Sequence, residues 1–164
     1  MRIIGIDPGT LVCGWGLIDT QGSKLKPVAY GAIRVKDALT FPERLVAVHL
    51  GLAEVIKAHR PDVAAIEKLF LGKSFRSIMT TGEGRGIAIL TAALAGLAVH
   101  EYTPAEVKKS VVGAGAAHKT QVQEMVRIIL SLPEIPRPQD AADALAIAIC
   151  HAQRATSPIP WGAR

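Results

Sequence analysis

Apolar residues fall along this chain in two kinds of run: short unbroken ones, and longer ones recurring every three or four positions. Arg2 to Asp7, with Ile3, Ile4 and Ile6, ends at Pro8-Gly9 and predicts a buried strand running into a turn. Gly14 to Asp19 predicts a second strand, Thr20 to Ser23 a turn and Leu25 to Val35 a third strand, connections short enough for an antiparallel meander. Thr40-Phe41-Pro42-Glu43 has the form of a capping box, and Leu45, Val48, Leu52, Val55 and Ile56 follow at helical spacing, predicting a helix over Phe41 to His59. Val63 to Glu67 and Ala98 to Tyr102 read as further strands. Phe75 to Leu97 reads as mostly helix with a glycine-interrupted middle (Gly82, Gly84, Gly86). Pro104 to Val111, Lys119 to Leu132 and Asp140 to Arg154 complete the helices, with a loop over Gly113 to Ala117 and a stiff connector at Pro133, Pro136 and Pro138. The order predicts an α/β domain with a mixed five-stranded sheet flanked by helices over residues 1–154, followed by a flexible tail over 155–164.

Composition narrows the class. Of 164 residues, 49% are hydrophobic and 20% charged, which excludes a disordered chain. The net charge of +5 suits a polyanionic partner. Cys13 and Cys150 show neither a disulfide framework nor metal-ligand spacing, so they are expected to be reduced, half-buried thiols. Strand-like sequence starts at Met1, so no leader is expected. The most apolar stretch, Gly86 to Val99, falls short of the roughly 20 residues that span a bilayer. The expectation is a soluble cytoplasmic protein with no membrane partner.

The chemistry concentrates in carboxylates. Asp7 and Glu67 each end a strand that otherwise looks buried, and on parallel neighbouring strands both emerge at the sheet edge where open α/β sheets bind ligands. Asp140 and Asp143, three apart on an Ala- and Ile-rich helix, share a face. Blander roles exist: Asp140 as N-cap, Asp143 as a complement to the helix dipole, Asp7 as a turn residue. Glu67 resists such a reading, because Glu is a poor strand residue. Four carboxylates from three segments of a basic protein repel one another unless cations lie between them. Hard ions such as Mg²⁺ or Mn²⁺ take such oxygen ligands, and two of them about 3.5–4 Å apart suit in-line phosphoryl displacement. The histidines and cysteines show no zinc spacing.

Four blocks, Gly5 to Thr10 (GIDPGT), Ala65 to Phe70 (AIEKLF), Val107 to Gly113 (VKKSVVG) and Asp140 to Ala146 (DAADALA), resemble the bacterial RuvC Holliday-junction resolvases, in order and at the family's spacing. The resemblance implies an RNase H-like fold, a homodimer and a metal-dependent endonuclease. Such an enzyme nicks two strands of like polarity in a four-way DNA junction, leaving 5′-phosphate and 3′-hydroxyl ends, in recombination and repair beside the branch-migration proteins RuvA and RuvB. On it, Asp7, Glu67, Asp140 and Asp143 are the catalytic metal-binding acids, with two Mg²⁺ or Mn²⁺ ions per site. Lys119 adds catalytic positive charge, and Lys108 lies near the DNA backbone. Lys68, Lys73, Arg76, Arg85, Lys109 and His118 lie near the same elements and are expected at phosphates. Phe70 matches the family's aromatic at the junction centre, where stacking on an unpaired base contributes about 1–3 kcal/mol, and Phe75 assists. The alternatives are solvated lysines and core phenylalanines. Trp15 and Cys13 depart from the smaller aromatic and the polar residue expected there, which puts the packing beside Asp7 in question.

Three rivals remain on the residues alone. Asp7-Pro8-Gly9-Thr10 also fits the phosphate loop of the actin, Hsp70 and sugar-kinase type, but those proteins need two such domains. An RNase H-like nuclease acting on RNA or single strands shares the acids. A basic architectural DNA binder leaves them unexplained.

Overall fold

The computed structural model describes residues 1–68, 75–113, 115 and 117–155, with side chains described for all of these except 75–81. Strands β1 (Arg2–Asp7), β2 (Val12–Gln21) and β3 (Lys24–Arg34) precede α1 (Phe41–His59), β4 (Val63–Glu67), α2 (Phe75–Leu94) and β5 (Ala98–Tyr102). Helices α3 (Pro104–Val112), α4 (Lys119–Ile129) and α5 (Gln139–Ala155) follow. The sheet order is β3-β2-β1-β4-β5, with β1–β2 and β2–β3 antiparallel and β1–β4 and β4–β5 parallel. This is the expected mixed five-stranded sheet flanked by helices.

Alternation along the strands sorts residues onto two faces. Ile3 of β1, Ile18 of β2 and Val63 and Ala65 of β4 pack with α3, α4 and α5. Ile4, Ile6, Cys13, Leu17, Ala64 and Ile66 pack beneath α1 and α2. Each fully buried Ile or Leu among them contributes about 1.5–3 kcal/mol. The outer strand β3 exposes Lys24 and Lys26 and carries Pro27, which hinder pairing with another chain.

Helix α5 is buried along nearly its whole length, because β1 and β2 offer it a floor of glycines. A β-carbon on Gly5 would overlap the Ala144 carbonyl oxygen and lie 2.8 Å from the Ala148 nitrogen. One on Gly16 would lie 2.7 Å from Leu145 Cγ. The sheet and helix backbones therefore approach closely, which places the acid-bearing first turns of α5 over the end of β1.

Several boundaries differ from expectation. Helix α2 runs without interruption through Gly82 to Gly86. Gly84 is where it meets the β1–β2 turn, since a β-carbon there would lie 3.0–3.2 Å from Gly9 backbone atoms. The helix ends at Leu94, ahead of Leu97. Gly96 has φ 75°, and the Gly96 and Leu97 N–H groups donate to the Ala93 and Ala92 carbonyls, a glycine-terminated turn. Helix α4 ends at Ile129, three residues early, with Ser131 at φ 51°. Helix α5 starts at Gln139, so Asp140 lies inside its first turn and is not the N-cap. Cys13 and Cys150 are fully buried rather than half-buried. Burial pushes the Cys13 thiol up to about 12, so it is a protonated core thiol. Trp15 lies on the α1 and α2 face, over Gly31 and 5.9 Å ring to ring from His59, away from the Asp7 side of the sheet. Among the described residues no helix is long and apolar enough to cross a membrane. Residues 156–164, most of the expected tail, lie outside the described residues.

Candidate active site

The alternation that buries Ile3 and Gly5 beneath α5 carries Asp7 to the same face, and Val63 and Ala65 do the same for Glu67. Ile3 pairs with Val63 and Ile6 with Ile66 in parallel register, so Asp7 and Glu67 follow side by side at the C-terminal edge of the sheet. Helix α5 completes the cluster. Gly14 is the register partner of Asp7, and a β-carbon on it would lie 3.0 Å from Asp140 Cβ. Asp143 sits one turn further along.

Asp7, Glu67, Asp143, Lys108 and Lys119 line one cleft of about 450 Å³, walled on its apolar side by Val107, Val122 and Ile147. Lys119 opens α4 and its Nζ lies 2.6 Å from Asp143 Oδ2. Burial, then the charges of Glu67, Asp143 and Asp140, pushes the Asp7 carboxyl up to about 7, with Lys119 opposing. Burial also raises Asp143, against the Lys119 ammonium and with Asp140. Burial works against the charge on Lys119, but its hydrogen bond to Asp143 and the charges of Asp143, Asp7 and Asp140 outweigh it and raise its pKa. A carboxyl whose pKa is raised by burial and then by like charges marks a site with more negative charge than its surroundings support. Such a donor set, all hard oxygens and no thiol or imidazole, fits a hard divalent cation. Among the described residues no three side chains already stand at ligand spacing around one point.

The other expected contacts divide. Lys108 faces the cleft, whereas Lys109 lines a separate cavity of about 560 Å³ with Ser110, Gly113 and Arg154. Lys68 is exposed just past Glu67, its N–H donating to the Tyr102 carbonyl at 2.7 Å. His118 is exposed at the N-cap of α4, with its N–H on Gln121 Oε1 at 2.9 Å. Arg85 is not brought to the cleft: it pairs with Glu101 on the opposite face of the sheet. Phe70 and Lys73 lie outside the described residues. Phe75 and Arg76 open α2, and their side chains lie outside them too. The strand-to-helix floor of Gly5, Gly14 and Gly16 was missed; its signal was three glycines at alternating positions of two adjoining strands, where close backbone approach is the usual reason.

The sequence profile of the family described as "Crossover junction endodeoxyribonuclease RuvC" matches residues 3–151. The chain belongs to the RuvC family. A RuvC from Heliobacterium modesticaldum is 49% identical over 99% of this chain and 98% of its own, and one from Chloroflexus aurantiacus is 50% identical over 94% of each. The structure of Thermus thermophilus RuvC in complex with a Holliday junction substrate superposes with a TM-score of 0.89, at 35% identity over 95% of both chains. The yeast mitochondrial resolvase Ydc2, 13% identical, shares the fold at a TM-score of 0.64 over 92% of this chain and 77% of its own. The fold is thus the expected RNase H-like one, and the chain, as a RuvC, is a nuclease. Membership removes the two-domain nucleotide binder and the architectural protein as readings.

Proposed function

We propose that this RuvC cuts four-way DNA junctions at two symmetric positions, using Asp7, Glu67, Asp140 and Asp143 to hold divalent cations and Lys119 to stabilise the reacting phosphate. The observation that carries the reading is the convergence of Asp7, Glu67 and Asp143 with Lys108 and Lys119 on one sheet-edge cleft, where burial and the charges of Glu67, Asp143 and Asp140 push the Asp7 carboxyl up to about 7. Two Mg²⁺ or Mn²⁺ ions would supply charge neutralisation there and a more acidic water.

The chain's own residues do the rest. The parallel register of β1 and β4 holds Asp7 and Glu67 in fixed relation, and the glycine floor fixes α5 against them. In-line attack by a water oxygen forms a new P–O bond and breaks the bond to the 3′ oxygen. That oxygen leaves as a hydroxyl, and the phosphate stays on the 5′ end. The Lys119 ammonium presents positive charge where the phosphate gains negative charge. Lys108, which also lines the cleft, gives a phosphate contact that positions the backbone without reading sequence. Phe70 stacks on an unpaired base at the junction centre, with Phe75, Lys73, Arg76, Lys109 and His118 as further DNA contacts.

Two cuts require two sites. Val46 and Leu50 of α1 and Leu90 and Leu94 of α2 are exposed on either side of the His49–Thr91 hydrogen bond that joins the helices, an apolar surface suited to isologous pairing with a second copy. A homodimer built there, working after RuvA and RuvB have moved the branch point, completes the reading.

The test is cleavage of an immobile four-way junction beside duplex of the same sequence and an RNA–DNA hybrid, with and without Mg²⁺ or Mn²⁺. Metal-dependent paired nicks in the junction alone are expected. Cutting of the hybrid instead would move the protein to another nucleic-acid substrate.

A further inference from the structure

Outside the cleft, two buried polar side chains, Tyr102 and His151, meet between β5 and α5. Tyr102 ends β5 as the register partner of Glu67, and its carbonyl accepts the Lys68 N–H at 2.7 Å, so its backbone clasps the end of β4 on both sides of the strand's last residue. Its side chain points the other way, into α5, where the hydroxyl and His151 Nδ1 lie 2.7 Å apart. Tyr102 and His151 are each only 6% exposed. Burial, then the Cys150 and Glu106 charges, pushes the Tyr102 hydroxyl up to about 12 against Arg154. Burial and His100 push His151 down to about 4. Both partners are therefore neutral at pH 7, and the bond is one between neutral groups. The Arg154 guanidinium covers the Tyr102 ring at 5.2 Å and bonds Glu106 at 2.8 Å, and Glu106 in turn caps α3 through the Thr103 N–H at 2.7 Å.

The acids of the cleft come from strand ends and from α5, so their separation depends on how the sheet edge sits against that helix. Asp143 and His151 are eight residues apart on α5, about 12 Å at 1.5 Å per residue, and the helix between them is packed without slack. We infer that Tyr102 is a positioning residue: through its hydrogen bond to His151 it fixes the end of β4, and with it Glu67, at the height on α5 where Glu67 faces Asp7 and Asp143. The inference rests on the reading of these acids as a cation site.

Calorimetric titration of Mn²⁺ into the metal-stripped protein tests it, without reference to cleavage. Tyr102→Phe keeps the ring and removes the hydroxyl; the expected result is Mn²⁺ binding weaker by about three- to tenfold, below the roughly 10- to 100-fold that loss of a ligand's direct supporting bond costs, because Tyr102 acts on Glu67 through the backbone. Junction affinity in chelator should stay at the wild-type value. His151→Leu breaks the same bond from the helix side and should weaken Mn²⁺ binding similarly. Ile56→Val, which trims the core on the opposite face of the sheet, serves as the control for a general loss of stability and should bind Mn²⁺ as wild type does. Wild-type Mn²⁺ affinity in Tyr102→Phe, or an equal loss in Ile56→Val, would overturn the inference. Asp7→Asn separates the two claims. If it abolishes binding while Tyr102→Phe leaves it intact, only the positioning role falls; if it too binds normally, the acid site falls and the positioning role with it.

Discussion

Exchanging Asp7 for Asn keeps the shape of the side chain and removes a charge that its surroundings disfavour. The metal-free variant is therefore expected to be more stable than wild type at neutral pH and above. The folded protein holds the Asp7 proton up to about 7, whereas the unfolded chain releases it near the ordinary 3.8. Between those values the folded state binds the extra proton, so wild-type stability falls as pH rises through that window, and below about pH 4 the penalty is absent. At about 1.4 kcal/mol for each pH unit, the full loss is bounded at roughly 4 kcal/mol. Relaxation of the site and the poorer hydrogen bonding of an amide reduce the gain, leaving roughly 2–4 kcal/mol, or on the order of 5–15 °C in Tm for a domain of this size. Thermal unfolding followed by circular dichroism in chelator, from about pH 4 to about pH 8, reads this directly. The two proteins should nearly coincide at the acid end, diverge progressively above about pH 4 and reach their full separation above about pH 7, and added Mg²⁺ should reverse their order at about pH 8, because only wild type keeps the full set of ligands. An Asn variant no more stable than wild type at about pH 8, or a gap of equal size at both ends, would refute the reasoning.

Lys119→Ala should lower the cleavage rate by about 100-fold or more while junction affinity changes only a few-fold; equal losses in single-turnover rate and in binding would reduce Lys119 to an ordinary phosphate contact. Gly5→Ala should cost about 2–3 kcal/mol in urea unfolding, since its methyl overlaps the Ala144 carbonyl and α5 must lift; an unchanged midpoint would contradict the glycine floor. Leu94→Asp, at a side chain 70% exposed on α2, should halve the mass seen by sedimentation velocity with little change in circular dichroism, and a variant that remains dimeric would place the interface elsewhere.

What could be read from the residues follows from how local each signal is. Helix α1 and strands β4 and β5 begin and end where the pattern placed them, and α3 begins there, because these elements are set by neighbours in sequence. Thr103 and Glu106 close a capping box within one turn, and the Thr40 N–H donates to Glu43 Oε2 at 2.7 Å. The pairing of Asp7 with Glu67 was legible for a related reason: strand alternation and the parallel crossover bring both to one edge and one face. The ends of α2 and α4 were not, because a helix stops where a residue enters the left-handed region, and at Ser131 that choice belongs to the packing rather than to the residue type. Arg85 resembled a phosphate contact of the cleft by sequence proximity, but its direction is set by Glu101 on β5, a partner that only the fold supplies. Cys13 and Trp15 belong to the same class, since a single position on a strand decides between the two faces of the sheet.

The central claim is that four carboxylates from three segments act as one cation-binding unit for junction cleavage. Its most direct test is a paired measurement on Asp7→Asn, Glu67→Gln, Asp140→Asn and Asp143→Asn: affinity for an immobile four-way junction, and Mg²⁺-dependent nicking of the same junction. The account predicts that each variant binds the junction at least as well as wild type, since each removes negative charge, while nicking falls by several orders of magnitude in all four. A variant among them that cuts paired strands at the wild-type rate would contradict it.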